Sequence, residues 1–313
     1  MSVKIVTDST ADLPPELVRE LNITVVPVYI NINKQSYRDN IDITPEEIYQ
    51  NMQENDYPIT TSQPSPNDFS NAFNSALKEA DGVVSIQCSS HLSGTYLSAV
   101  KGRDMSENKN RIEVIDSKMI SIPLGLVVVT AARLAQTGAT ISNVVESTIE
   151  AISQVHAWGV FNTLKYAIRS GRIGKIAGLV GSVLSVKPML TLKDGVLHPT
   201  GVVRTRAKGI EKFIENVRKH KNICDIGIVH SMCLEEAQKL RAILSVLVDK
   251  NRIIISKLGA GVGSHGGPGT ILLAIRATAK PIGKSVTALN DRVMGTSQVP
   301  SLTSLDLNTA LLP

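Results

Sequence analysis

At 313 residues, with 42% apolar and 19% charged side chains, the composition is globular and excludes a disordered chain. The net charge of +5 is mild, no run of five like charges occurs, and no aromatic-plus-basic motif accompanies it, so nothing points to nucleic acid. The start "MSVKIVTDST" lacks an apolar signal core, and the uncharged, largely apolar stretch 119–132 falls short of the ~20 residues a bilayer span needs.

In chain order, "VKIVTD" (3–8) predicts a strand. Pro14 and Pro15 then open a helix through about Leu21, since the first helical turn tolerates a missing N–H. "ITVVPVYIN" (23–31) predicts one strand, with Pro27 marking an edge or bulge. Thr44-Pro45-Glu46-Glu47 is a capping box, and Ser65-Pro66-Asn67-Asp68 resembles it, with Phe69 and Phe73 one turn apart. "GVVSIQCSS" (82–90) and "RIEVIDS" (111–117) predict buried strands. "IPLGLVVVTAARLAQTG" predicts a buried helix closed by Gly138, and "ATISNVVESTIEAISQV" an amphipathic one. Strands alternating with helices imply a parallel sheet.

The pattern changes near residue 155. "PMLTLKDGVLHPTGVVRT" predicts a hairpin about Asp194-Gly195, followed by strands at "CDIGIVHS" and "RIIISKLG" around a helix over 232–248. The expected fold is therefore α/β with two domains. Residues 1–155 form a parallel-sheet α/β domain, 156–280 an α+β domain with a β-hairpin, and 281–313 an extension or tail.

Cys88, Cys224 and Cys233 are odd in number, widely spaced and without a C-x-x-C pairing. That argues against a disulfide framework and a zinc site, and predicts a reducing cytoplasm.

Three polar loops each precede a helix: "TDSTAD" (7–12), "TTSQPSP" (60–66) and "SSHLSGTYLSA" (89–99). Ser93 is expected to cap a helix beginning near Gly94, whose free N–H groups favour an anion. The segment "LGAGVGSHGGPGT" (258–270) has six glycines in thirteen residues. Gly261-Val262-Gly263-Ser264-His265-Gly266 matches G-x-G-x-x-G, yet no acidic residue follows ~20 positions on to meet a ribose. Close approach to a ligand or another loop explains the glycines better. Pro268 is expected to open a helix over "GTILLAIRATA", leaving His265 as a donor at its mouth beside Ser264.

"VTDSTADLP", "TTSQPSP", "SSHLSGTYLSA", "VIDSKM", "LKYAIRSGRIG", "VKPMLTLKDG" with "VVRTRAKG", and "GVGSHGGPG", in that order, resemble the DegV family of bacterial fatty acid-binding proteins over about residues 3–280. The resemblance implies two α/β domains with a long-chain fatty acid between them, no cofactor, and a separate kinase protein that makes acyl phosphate. It implies that Thr61, Ser93 and His265 hold the carboxylate; the loops themselves add the helix-start N–H at Gly94 as a donor and Ser62, Ser264 and Asp8 as supporting residues. It assigns Arg169, Arg172, Arg204 and Arg206 to the kinase-facing surface and allows transient contact with a membrane surface. This chain departs in having His91 where the family has glycine, and Arg169-Ser170-Gly171-Arg172 for Arg-Gly-Gly-Arg.

The chemistry is consistent. A buried carboxylate needs converging donors, which two hydroxyls and an imidazole supply. The chain lacks a G-x-x-x-x-G-K-[ST] loop, so ATP chemistry is expected elsewhere. The chief rival is a subunit like those of ketose kinases, with His265 binding a small ketone covalently in a short polar pocket. Another is a dinucleotide site at Gly261–Gly266.

Overall fold

The computed structural model describes residues 2–54, 58–172 and 186–279; the expected tail over 281–313 lies outside them. The first half builds a four-stranded parallel sheet in the order β2-β1-β6-β7. Its strands are β1 (Val3–Asp8), β2 (Thr24–Val26), β6 (Gly82–Gln87) and β7 (Ile112–Asp116). Every residue of β6 is buried, because helices cover both faces of the sheet.

One expected strand is in fact two. Pro27 separates β2 from β3 (Tyr29–Ile32), which joins β4 (Gln35–Arg38) and β5 (Thr60–Ser62) in a small antiparallel sheet ordered β4-β3-β5. Proline cannot donate to a ladder. The next amide, Val28 N–H, leaves the strand pattern to donate to Ser9 Oγ at 3.1 Å.

A second sheet begins at β8 (Val155–Val160) and is mixed, in the order β10-β9-β8-β13-β11-β12. It contains β9 (Lys187–Lys193), β10 (Val196–Val203), β11 (Ile223–His230), β12 (Ile253–Lys257) and β13 (Ile271–Ala277). The hairpin β9–β10 turns at Asp194 and Gly195, both with positive φ, as Asp-Gly predicts.

The layers alternate. Helices α3 (Pro66–Ala76) and α4 (Thr95–Asp104) cover the outer face of the first sheet, where Phe69 and Phe73 pack with Val6 and Val83. Helices α8 (Arg206–Val217) and α9 (Leu234–Leu244) cover the outer face of the second, through Phe213, Val217 and Leu240. Between the sheets lie α5 (Ile122–Gln136) and α6 (Ile141–Gln154). One continuous core joins α5 to Ile5, Val84 and Ile86 of the first sheet and to Ala157, Val229 and Ala274 of the second. Near it, buried Asp225 meets Arg133 of α5 at 2.9 Å, Arg276 at 2.7 Å and Arg252 at 3.4 Å. Burial alone would push its carboxyl up, but the three guanidiniums outweigh this and hold it below the usual range.

The remaining helices are α1 (Pro15–Glu20), α2 (Pro45–Glu54), α7 (Lys165–Arg169) and α10 (Ala260–Gly266). The capping boxes are formed: Thr44 N–H donates to Glu47 at 2.7 Å and Glu47 N–H to Thr44 Oγ1 at 3.3 Å, and Ser65 and Asp68 repeat the pattern at α3.

Candidate functional site

The glycine-rich segment is itself a helix, α10, and "ILLAIRA" after Pro268 is strand β13, so the expected helix over that stretch is corrected. A short apolar run reads equally as strand or buried helix. Here antiparallel neighbours β8 and β11 claim it. That topology also removes the parallel βαβ unit on which the dinucleotide reading depends.

The crowding at Gly263 of α10 and at its N-cap Gly259 comes from the protein itself, so of the two close approaches expected, to a ligand or to another loop, these two glycines make the second. A methyl group at Gly259 would sit 2.6 Å from Asp12 Oδ1, and one at Gly263 2.2 Å from Tyr49 Oη. Tyr49, buried in α2, donates its hydroxyl to Leu258 C=O at 2.7 Å.

Helix α10 delivers His265 to the small sheet. Thr61 in β5 is registered against Ile30, and its Oγ1 lies 2.9 Å from His265 Nε2. Burial, aided by the positive charge of Arg172, pushes the imidazole down to about 4, so the ring is neutral at physiological pH. Its Nδ1 is buried without a hydrogen-bond partner among the described residues. A buried orphan N–H is costlier than a bare acceptor, which places the proton on Nε2. The ring then donates to Thr61 Oγ1 and leaves the threonine hydroxyl hydrogen free for a third group.

Ser93 sits one residue earlier than a cap. The N-cap of α4 is Gly94, and Ser93 Oγ lies 2.8 Å from Thr95 Oγ1 and accepts Thr95 N–H at 3.3 Å. A methyl at Gly94 would stand 2.5 Å from Gln63 Oε1, so the end of the Gln63 side chain packs directly over this N-cap.

A cavity of about 130 Å³ lies where these elements meet, with walls from both halves of the chain. At ~10–15 Å³ per water-sized site, it holds on the order of ten such sites. Thr61, Ser62, Ser93, His265 and Arg172 line it, as do Leu92, Ile120, Phe161, Leu190, Leu197 and Leu272. Gly94, Ser264 and Asp8 lie outside the lining. Ser264 turns its hydroxyl back to Gly261 C=O, and Asp8 accepts the amides of Thr10 at 3.0 Å and Cys88 at 2.8 Å.

The four arginines separate. Arg172 lines the cavity, where the sequence places it on a partner surface. Arg206 turns inward, paired with Glu236 and hydrogen-bonded to Asn162 Oδ1 and Gly269 C=O. Arg169 and Arg204 are exposed. His91 rests against the hairpin turn at Gly195, whose carbonyl accepts Ser89 Oγ–H at 2.7 Å. Sequence reasoning missed Thr10, Gln63 and Cys88 in the wall, although all three lie in or beside the polar loops it singled out.

Comparison with known proteins agrees with this layout. The model of the uncharacterised-protein DegV family matches residues 2–278. A DegV domain-containing protein of Caldanaerobacter subterraneus is 39% identical over 270 residues, covering 85% of this chain and 95% of that protein. A fatty-acid-binding DegV family protein from Thermus thermophilus superposes with a TM-score of 0.82 at 34% identity, over 89% of this chain and 100% of that one. A stearic acid-binding protein from Eubacterium ventriosum gives 0.77 at 26% identity, over 88% and 98%. The order of motifs, the two sheets with a lined cavity between them, and the family match along nearly the whole length lead to one conclusion: this chain is a member of the DegV family.

Proposed function

We propose that the protein binds one long-chain fatty acid and presents its carboxylate to a separate ATP-dependent kinase for acyl-phosphate formation. The observation that carries this is one cavity whose wall combines Leu92, Ile120, Phe161, Leu190, Leu197 and Leu272 with Thr61, Ser93, neutral His265 and Arg172. Each buried methylene contributes ~0.8 kcal/mol, and a head-group anion needs the donors found here. His265 acts through Thr61: its Nε2–H orients the threonine oxygen, and the threonine hydroxyl meets the carboxylate. Arg172 adds positive charge at the head-group end. The solved relatives described as binding fatty acid or stearic acid support the ligand class.

The rival reading, covalent capture of a small ketone by His265, needs a short polar pocket. The apolar walls and the sealed Nδ1 favour the lipid. Exposed Arg169 and Arg204 are offered as the kinase-facing pair, and transient contact with a membrane surface would deliver the ligand. Among the described residues no helix is long and apolar enough to cross a membrane. The three cysteines are free thiols, in keeping with the cytoplasm as the proposed location. Native mass spectrometry of the purified protein tests the reading: one co-purified fatty acid per chain is expected. A lipid-free chain that takes up no labelled fatty acid would overturn it.

A further inference from the structure

Helix α10 begins without a side-chain cap of its own, since its N-cap residue is Gly259. Its first amides are nevertheless met by carboxylates from the opposite half of the chain. Asp12 Oδ1 accepts Gly259 N–H at 2.9 Å, across 247 positions of sequence. The Asp39 carboxyl lies against the same helix start, close to Gly259 and Gly261. Both side chains are almost wholly buried. Each is itself held: Asp12 accepts Ser121 Oγ–H, and Asp39 accepts Ser9 Oγ–H at 2.8 Å.

We propose that Asp12 and Asp39 are positioning residues for the head-group site, gripping the amino end of α10 so that His265, one turn and a half further on, is fixed against Thr61. Amides at a helix start lack partners within the helix, and here carboxyl groups from another element face them, Asp12 taking the first. The geometry is tight on the helix side too. A methyl at Gly259 would meet Asp12 Oδ1 at 2.6 Å, and one at Gly261 would meet Asp39 Oδ2 at 3.1 Å. Tyr49 reinforces the grip from α2 through Leu258 C=O. Through Asp12, the polar loop at 7–12 thus contributes to the site by setting the position of a helix more than two hundred residues away.

The inference rests on the proposed fatty acid function, but its first test does not need ligand. The full chain is labelled with ¹⁵N-histidine, and the His265 ring shifts are read in lipid-free protein. Asp39→Asn and Asp12→Asn are expected to move the Nε2 signal toward that of an unbonded imidazole, as the bond to Thr61 loosens. Asp104→Asn, at an exposed pair with Arg103, leaves it unchanged. Gly259→Ala, which crowds the same contact from the helix side, is the second route should an aspartate variant fail to fold. Binding of cis-parinaric acid, a fluorescent long-chain fatty acid, should then weaken about tenfold in the variants. An unmoved His265 signal in folded Asp39→Asn and Gly259→Ala overturns the positioning role. A signal that moves in the variants, together with native protein that binds no cis-parinaric acid, keeps the positioning role and overturns the proposed function.

Discussion

His265 Nε2 and Thr61 Oγ1 lie 2.9 Å apart although 204 positions separate them in the chain. The contact joins a helix of the second half to the edge of a three-stranded sheet in the first. Thr61→Val keeps the shape and removes the hydroxyl. It should weaken fatty acid binding by about 10- to 100-fold, the worth of a hydrogen bond to a charged group. Competition against a fluorescent fatty acid measures this, and unchanged affinity would remove Thr61 from the head-group site.

Proton linkage supplies a second prediction. In the fold His265 stays neutral down to about pH 4, whereas the unfolded ring titrates near 6.5. Between those values the unfolded chain holds more protons at this ring, so its contribution to stability rises with pH and is lost as pH falls. Asp39 has the opposite sign. Burial raises it from 3.8 to about 6, so over that window the folded chain holds more protons and stability drops as pH rises. The two slopes oppose one another in the native chain. Relative to native protein, His265→Gln should lose stability as pH climbs from about 4 to 6.5, and Asp39→Asn should gain it. Urea titrations across that range check both; shifts of the same sign would contradict the assignment.

Asp225 offers a stability test away from the cavity. Replacing it with alanine leaves the three guanidiniums of Arg133, Arg252 and Arg276 around an empty site. Removing one partner of a buried ionic cluster costs about 3–5 kcal/mol, so chemical denaturation should show a loss of that size. A cost below about 1 kcal/mol, the range of an exposed pair, would mean that the cluster is solvated.

The hairpin tip gives a fourth prediction. Gly195 has φ +80°, and a methyl there would stand 2.6 Å from Ser89 Oγ and 2.8 Å from His91 Cδ2. Gly195→Ala should cost about 1–3 kcal/mol through strain and overpacking. Adding His91→Gly should recover part of that loss in a double-mutant cycle. Full additivity of the two changes would separate His91 from the turn.

Much of the fold was legible because local signals agreed with tertiary outcome. The two capping boxes, the Asp-Gly hairpin and the helix closed by Gly138 all form where the residues place them. The failures have common physical causes. "ILLAIRA" carries no period that separates strand from buried helix, and the choice was made by neighbours far along the chain. Pro27 marks only an edge or bulge in one strand on propensity, which does not reveal that the segment after it joins another sheet. At the site, Thr61, Ser93 and His265 emerged from a resemblance in motif order, and the structure lines one cavity with all three. The roles of Asp12 and Asp39 were not readable: only folding brings their carboxyl groups to the amino end of α10.

Helix α5 has eleven buried residues of fifteen, leaving little of its surface in water. A helix apolar on nearly every side must be covered all round. Part of its cover, Ala157, Val229 and Ala274, belongs to strands that follow it in the chain. On the ribosome, where amino-terminal segments fold first, α5 therefore waits with one bare flank until more than a hundred further residues have emerged. Stalled or truncated products ending near residue 155 should be insoluble and held by chaperones, and the full chain should melt in one cooperative step despite its two sheets.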